Sequence, residues 1–299
     1  MAQFTSIMAS EYNAVRTKVS NIIGTGSGNK GYGGSMTSSE VAAGNLITET
    51  HFDNLKADID KAVRHQTGLL SSLTNVAQGD IIYWATLLSY DLKADEITTN
   101  SDAVYTGATT GSFVKQVDVV NGGSTTLSAG WGVGASQRYG QQTYNVTFSS
   151  ADKARQFFNS GGYLRITLSR GGSAVNTKDT GWQQIIDDMA TVANTFFFDA
   201  AKYRAGVAGT TTQWSYVKYD TTNPYTENYG GALYQFVNST TINILVQMVD
   251  NDAGDQTGTG PAVDEPVSIT VTAGLEYRKS IDQITAETPT FSVAAWTLQ

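Results

Sequence analysis

The chain opens with an apolar stripe at helical spacing. Apolar residues recur at i, i+3, i+7 and i+10 in its first stretch, namely Tyr12, Val15, Val19 and Ile22. This spacing places side chains on one face of an α-helix, so it predicts a helix over about 9–23. Gly24 follows as a C′ residue able to adopt a positive φ.

A second helix is predicted between Thr48, a good N-cap, and Gly68, which ends it. The basic residues Lys61, Arg64 and His65 fall near the carboxyl end, where the helix dipole favours positive charge. Its expected buried face consists of Phe52, Leu55, Ile59, Ala62 and Val63. The sequence therefore predicts two amphipathic helices within residues 1–68.

The apolar stripes of these two helices are narrow, so the helices cannot fully bury each other's apolar side chains and must pack against something else. We expect the stripe residues to form an interface with a partner, namely Tyr12, Val15, Val19, Ile22, Phe52, Leu55 and Ile59. In this interpretation residues 1–68 are an attachment segment, and the rest of the chain folds without it. The alternative is a helical layer packed on the chain's own body.

A glycine-rich segment, GTGSGNKGYGG at 24–34, lies between the two helices. Gly26, Gly28 and Gly31 satisfy the spacing G-x-G-x-x-G, but a helix precedes them where a dinucleotide-binding motif has a strand. Lys30 lies between Asn29 and Gly31, which does not fit a P-loop. The segment is therefore interpreted as a flexible or extended connector.

Beyond residue 80 the apolar period shifts towards two. A short helix is predicted over about 151–159 and a longer one after Thr180, and at least two of the residues Phe196–Phe198 are expected to be buried. Alternating apolar residues that predict strands include Tyr144, Val146 and Phe148, and then Leu164, Ile166 and Leu168. The strand candidates nearer the C-terminus are 213–219, 232–237, 240–249, 266–277 and 290–298.

These elements predict an α+β fold that is mainly β, with a helical N-terminal segment before an antiparallel β-sandwich-type body carrying a few inserted helices. We divide the chain into residues 1–68, the helical attachment segment with its Gly-rich connector, residues 69–205, a central αβ module, and residues 206–299, the C-terminal sandwich strands.

Composition narrows the function classes. The chain has 299 residues and a net charge of −8, which disfavours nucleic-acid binding, and it has no cysteine. Only 15 % of the residues are charged, against about 25 % in an ordinary domain. No apolar run reaches the roughly 18 residues of a membrane span. A weakly charged surface suits contacts between subunits, where a buried lone charge is costly.

The candidates for catalysis and metal binding are few. His51 and His65 lie at opposite ends of one predicted helix, too far apart to share a metal. Neither H-E-x-x-H nor G-x-S-x-G occurs, so we expect no enzyme, no catalytic residues and no cofactor. Asp250, Asp252 and Asp255 are weak candidates for Ca²⁺ ligands, and a simple exposed hairpin loop is the favoured reading.

Tyrosines concentrate in one stretch near the C-terminal strands: Tyr216, Tyr219, Tyr225, Tyr229 and Tyr234. Aromatic rings of this kind stack on sugars or anchor protein interfaces. Ordinary packing between neighbouring strands is the favoured alternative.

Several blocks of the chain resemble virion structural proteins of tailed bacteriophages, especially those of cyanobacteria and other marine bacteria. These blocks include ASEYNAVRTKV (9–19), GTGSG (24–28), ITETHFDNL (47–55), RHQTG (64–68), VTFSSADKARQFFNSGG (146–162), NTKDTGW (176–182) and VDNDAGDQ (249–256). The resemblance implies no catalytic residues.

The resemblance implies a structural part of a virion, in the tail, the neck or an attached fibre, that is assembled in the host cytoplasm. Its expected partners are copies of itself, other virion proteins and a host surface glycan, without nucleic-acid binding or membrane insertion. A capsid decoration protein, a receptor-binding lectin-like module and a polysaccharide depolymerase are the alternatives.

Overall fold

The computed structural model of the chain describes residues 7–103, 113–127, 138–171, 177–193, 197–221, 228–250, 267–280, 284, 287–294 and 297–298. The chain divides into two compact units. Unit 1 contains residues 1–116, 151–162 and 277–288, and unit 2 contains residues 117–150, 163–276 and 289–299. The three consecutive segments predicted from the sequence do not coincide with these units, because each unit is assembled from separate stretches of chain.

Unit 1 is built on the helices α1 Ala9–Ile23, α2 Glu49–Thr67, α3 Trp84–Thr99 and α4 Ala151–Asn159. Helices α1, α2 and α4 form where the sequence pattern predicts them. The first three helices pack against one another. Their facing apolar side chains form one core, which Ile284 joins from a distant part of the chain.

The two glycines that follow α1 and α2 end their helices differently. Gly68 ends α2 as predicted, with a left-handed φ of 78° and its N–H donated to the Arg64 carbonyl at 2.9 Å. Gly24 has a φ of −77° and does not use the positive φ that glycine can adopt. A glycine suits this position because a Cβ would lie 2.7 Å from the carbonyl oxygen of Ser20.

Helix α3 was not predicted, although its buried face has helical spacing. Leu87, Tyr90, Ala94 and Ile97 recur at i, i+3, i+7 and i+10 and lie in the core. The outer face of the same helix also carries large apolar side chains, at Trp84, Leu88 and Leu92. Apolar residues on two faces blur the helical period, and the stretch therefore shows no clear stripe.

Unit 2 contains most of the strands. The strands of the chain are β1 Phe113–Leu127, β2 Arg138–Thr147, β3 Tyr163–Gly171, β4 Phe197–Phe198, β5 Gln213–Tyr219, β6 Tyr229–Asn238, β7 Thr241–Asp250, β8 Val267–Ser280, β9 Thr290–Val293 and β10 Thr297–Leu298, and the remaining helices are α5 Thr177–Ala193 and α6 Ala200–Val207. The strand predicted over 290–298 is thus two short strands.

The strands form two sheets. Sheet A has the order β1-β8-β3-β4, and sheet B has the order β10-β2-β7-β6-β5, with β9 also pairing with β2. Strand β3 is antiparallel to β4 and β8, and the pairs of sheet B are antiparallel throughout. Antiparallel pairing is what short strands joined by turns favour.

One face of sheet B is buried. Tyr144, Ile244 and Tyr234 are neighbours across β2, β7 and β6, and none of the three is exposed. Helix α5 packs on this face, where Gly230 leaves room for it. A Cβ on Gly230 would lie 2.8 Å from Ile185 and 2.6 Å from the sulfur of Met189.

The two sheets touch through aromatic rings. The ring of Phe198 in β4 lies 5.2 Å from Trp214 and 6.0 Å from Tyr234, so sheet A packs on strands β5 and β6 of sheet B. Phe198 is buried and Phe197 is partly buried, whereas Phe196 lies outside the described residues. Helices cover at least as much of the described chain as strands do. The fold is therefore mixed α+β, and the expectation that it is mainly β is corrected.

Candidate docking surface

The residues predicted to form an interface lie inside unit 1. All seven are at most 3 % exposed and belong to the core that the helices of unit 1 share: Tyr12, Val15, Val19, Ile22, Phe52, Leu55 and Ile59. Their assignment as a partner interface is corrected, because the chain itself covers them. Of the two alternatives, the structure shows a helical layer packed on its own body.

Helix α3, which the sequence analysis missed, completes this burial. The ring of Phe52 packs edge-on against Tyr90 of α3 at 5.2 Å. The Tyr12 hydroxyl donates to the carbonyl of His51 at 2.9 Å and ties α1 to α2. Burial raises the pKa of Tyr12 to about 12, since the phenolate would lose its hydration.

The outer side of α3 and the residues just before this helix carry several exposed apolar side chains. These side chains are exposed to between 42 % at Leu88 and 71 % at Ile81. Trp84, Leu88 and Leu92 are spaced i, i+4 and i+8, so they adjoin along one side of the helix. We define the α3 surface by Ile81, Tyr83, Trp84, Leu88 and Leu92. An apolar patch of this kind marks a site of protein interaction, unlike scattered single residues.

The α3 surface stands on a rigid support. The Lys18 Nζ lies 2.7 Å from Asp91 and 2.8 Å from Asp95, which ties α1 to α3, and these contacts raise the pKa of Lys18. The Gln66 amide of α2 donates to the Ile97 carbonyl at 2.8 Å. The Tyr90 hydroxyl donates to the carbonyl of Thr74 at 3.1 Å. The helix is therefore fixed by neighbours on both sides before any partner binds.

The chain between α1 and α2 is held by one buried carboxylate. Asp58 of α2 is fully buried and accepts the N–H groups of Thr37 and Ser38, each at 2.8 Å, and the Ser38 hydroxyl at 2.7 Å. Lys61 supplies the positive charge at 2.9 Å. Because every bond is internal, Asp58 is a structural anchor and does not form a catalytic pair.

The glycine-rich segment is compact, contrary to the flexible or extended connector that was predicted. It folds back on α1, with the Tyr32 N–H donating to the Ile22 carbonyl at 2.8 Å. Gly26 and Gly31 have φ values of 60° and 104°, and a Cβ on Gly31 would lie 2.3 Å from the Thr25 carbonyl. Glycine is therefore required at these two positions by the conformation of the segment's own backbone.

Helix α4 binds the carbonyl groups of this segment. The Arg155 guanidinium donates to the carbonyls of Thr25 at 2.8 Å and Gly28 at 3.1 Å. The Asn159 amide donates to the carbonyl of Asn29 at 2.9 Å. A phosphate site requires backbone N–H groups that converge on the ligand. Here carbonyl oxygens converge on a cation of the chain itself, so the loop lacks that geometry.

The two histidines have separate structural positions. His51 lies at the start of α2, where its Nδ1 accepts the Thr48 N–H at 3.1 Å and contacts the Thr48 hydroxyl at 2.8 Å. His65 is fully buried, with its ring 4.6 Å from that of Tyr32. Among the described residues no group of three or more His, Cys, Asp or Glu side chains could hold a metal.

The weak calcium candidates stay a prediction. Asp250 ends β7, and Asp252 and Asp255 lie outside the described residues.

The tyrosine stretch does not form a single surface. Tyr234 is buried in the core of unit 2, and burial raises its pKa. Tyr216 is partly buried, and Tyr225 lies outside the described residues. Tyr219 and Tyr229 are register partners with ring centroids 5.4 Å apart, and Tyr219 is well exposed. Among the tyrosines of the predicted cluster that the structure describes, only Tyr219 and Tyr229 lie together on an accessible face of the sheet.

No family model matches the chain, and neither the curated proteins nor the solved structures compared with it include a match. None of the helices in the described part of the chain has the length and apolar character required to cross a membrane.

Proposed function

We propose that the protein is a structural component of a tailed-bacteriophage virion, in the tail, neck or an attached fibre, and that it acts by docking and oligomeric assembly. The observation that carries the docking role is the α3 surface, an exposed apolar stripe on a helix whose other face is core. The virion setting comes from the sequence resemblance. The proposal assigns no reaction and no cofactor to the chain.

The energetics favour assembly through this surface. Burying a large apolar side chain stabilises a complex by about 1.5–3 kcal/mol. Three such residues on the fixed helix, together with Ile81 and Tyr83 just before it, supply a sizeable driving force, and little is lost in ordering a surface that is already rigid. Oligomers of identical chains are usually closed and symmetric. We therefore propose that copies of this chain associate through α3, in a virion assembled in the host cytoplasm.

The proposed body of this component is a sandwich of sheets A and B. The contacts of Phe198 with Trp214 and Tyr234 support this arrangement, since they bring β4 of sheet A against β5 and β6 of sheet B. Helix α5, which packs on β3, β5 and β6, would fill the remaining space between them.

The docking proposal predicts that Leu92→Asp weakens self-association. A carboxylate placed in the stripe would have to be desolvated in the interface, so the dissociation constant of the oligomer should rise more than about tenfold. The measurement is light scattering coupled to gel filtration over a range of concentrations. Because Leu92 is 62 % exposed, the melting temperature of the variant should stay near that of the parent.

Leu46→Asp is the matched control, because Leu46 is 86 % exposed in unit 1 but precedes α2 and is not on α3. It should associate like the parent protein. A parent chain that stays monomeric at every concentration, or a Leu92 variant that assembles normally, would contradict docking through α3.

A further inference from the structure

Sheet B has a second face that carries no charge. Side chains alternate between the faces of a sheet, and α5 packs on the even-numbered positions of β2, β6 and β7, most of which are buried; of the odd-numbered positions, Gly231 and Val249 are buried as well. Every odd-numbered position in 141–147, 213–219, 229–235 and 241–249 is uncharged, in a chain of which 15 % is charged. We call this odd-numbered side the outer face.

A row of polar side chains crosses the outer face from one edge of the sheet to the other. The register places Gln213 beside Gln235, Gln235 beside Asn243, Asn243 beside Asn145, and Asn145 beside Ser292. Neighbouring strands are about 4.8 Å apart, so the row places four amides and a hydroxyl at regular intervals over roughly 19 Å, and within it the Oδ1 atom of Asn243 is buried. Gln213, Gln235 and Ser292 are exposed.

Aromatic and aliphatic side chains lie on the same face beside this row. Tyr219 and Tyr229 form a tilted ring pair at the other end of β5 and β6. Between the pair and the polar row, Leu233 and Leu245 are register partners and are partly exposed. The outer face thus joins a neutral hydrogen-bonding row to an apolar, partly aromatic strip.

We propose that the outer face of sheet B binds a neutral polysaccharide. An amide both donates and accepts hydrogen bonds, as sugar hydroxyl groups do. The C–H faces of a sugar ring pack on tyrosine rings, and of this pair Tyr219 is exposed and Tyr229 is partly exposed. A nucleic acid or an acidic polysaccharide would require Lys or Arg on this face, and the described odd-numbered positions carry neither.

This activity is separate from docking through α3. The α3 surface consists of residues of unit 1 and the outer face of residues of unit 2, so different substitutions test each of them. The alternative ligand of the outer face is a second copy of the chain. The experiment distinguishes a polysaccharide from a second copy by the oligomeric state of the outer-face variants.

The test is native electrophoresis of the full chain in gels that contain dextran, mannan or laminarin, with alginate as the acidic comparison. We expect retardation by at least one of the neutral polymers and none by alginate. Tyr219→Ala should raise the dissociation constant about fivefold, the loss of a ring contact worth about 1 kcal/mol. Combined Gln213→Ala and Gln235→Ala should also reduce retardation, because both amides belong to the polar row.

Leu70→Ala is the matched control, since Leu70 is 56 % exposed and Tyr219 is 57 % exposed, but Leu70 belongs to neither the outer face nor the α3 surface. It should bind the polymer like the parent. Unretarded migration in all three neutral gels, equal retardation in alginate, or equal effects of Tyr219→Ala and Leu70→Ala would overturn the proposal. A Tyr219 variant that loses self-association would also overturn it, since the outer face would then be a contact between copies.

Discussion

Asp58 shows how much of unit 1 depends on a single polar residue. It is a charged side chain with no exposed surface, and it is neutralised by Lys61 and by hydrogen-bond donors from residues 37–38. A buried carboxylate is tolerated only when its oxygens are satisfied in this way. Its effect is to fix the chain between α1 and α2 along the side of the helices.

We expect Asp58→Ala to destabilise unit 1 by about 3–5 kcal/mol, because Lys61 and two backbone donors would lose their partner away from water. Urea unfolding followed by circular dichroism measures the change. Glu40→Ala is the control on the same segment, since Glu40 is exposed and pairs with Arg16 at 3.3 Å. It should cost less than about 1 kcal/mol. Similar losses of unfolding free energy in the two variants would show that Asp58 does not anchor this segment.

At the scale of elements, α4 and the glycine-rich segment form one structural piece. The segment turns where its glycines allow it, and side chains of α4 bind the carbonyl groups that the turns leave unpaired with backbone. A loop on its own would have to satisfy those carbonyls with water.

Arg155→Ala should loosen the glycine-rich segment without unfolding the helices. It removes two hydrogen bonds from a charged donor, each worth about 1.5–3 kcal/mol, so amide hydrogen exchange within 25–31 should become at least about tenfold faster. The comparison is Lys153→Ala, an exposed position on the same helix. If amide exchange in 25–31 is equally fast in both variants, the Arg155 hydrogen bonds do not hold the glycine-rich segment in place.

Helix α3 contributes to both the core and the surface of unit 1. Its inner residues complete the burial of α1 and α2, and its outer residues form the α3 surface. Removal of residues 1–68, which was expected to leave a folded body, would instead uncover Tyr90 and the rest of the inner face. The N-terminal helices are part of a unit and not a detachable arm.

For the whole molecule, tyrosine burial couples stability to alkaline pH. Burial raises the pKa values of Tyr12, Tyr32 and Tyr90 in unit 1 and of Tyr144 and Tyr234 in unit 2. In the unfolded chain these groups ionise near pH 10. The folded state therefore holds their protons more tightly, and by linkage the stability that these tyrosines contribute is fully present below about pH 10 and is lost as the pH rises above it.

We expect both units to lose stability between about pH 10 and pH 12, the upper value being the pKa of folded Tyr12. Urea unfolding at a series of pH values, with tyrosinate absorbance recorded in parallel, measures the loss. Tyr12→Phe should make the pH dependence shallower, because it removes one of the coupled groups. Complete ionisation of all tyrosines near pH 10 in a chain that stays folded would contradict the coupling.

The sequence by itself determined the local elements. The stripe of α1, the N-cap and final glycine of α2, and the alternation in β5 and β7 each depend on residues close together in the chain, and local spacing suffices to predict them. The buried residues were also predictable, since apolar positions at regular spacing must be covered.

Only the tertiary structure decided what covers them. The sequence left the stripes of α1 and α2 open to a partner, and α3 and Ile284 cover them instead. The outer face of sheet B likewise depends on the strand register, which brings Gln213 and Asn145 into one row from distant parts of the chain. Packing partners and register are set by contacts between residues far apart in sequence, and no local pattern records them.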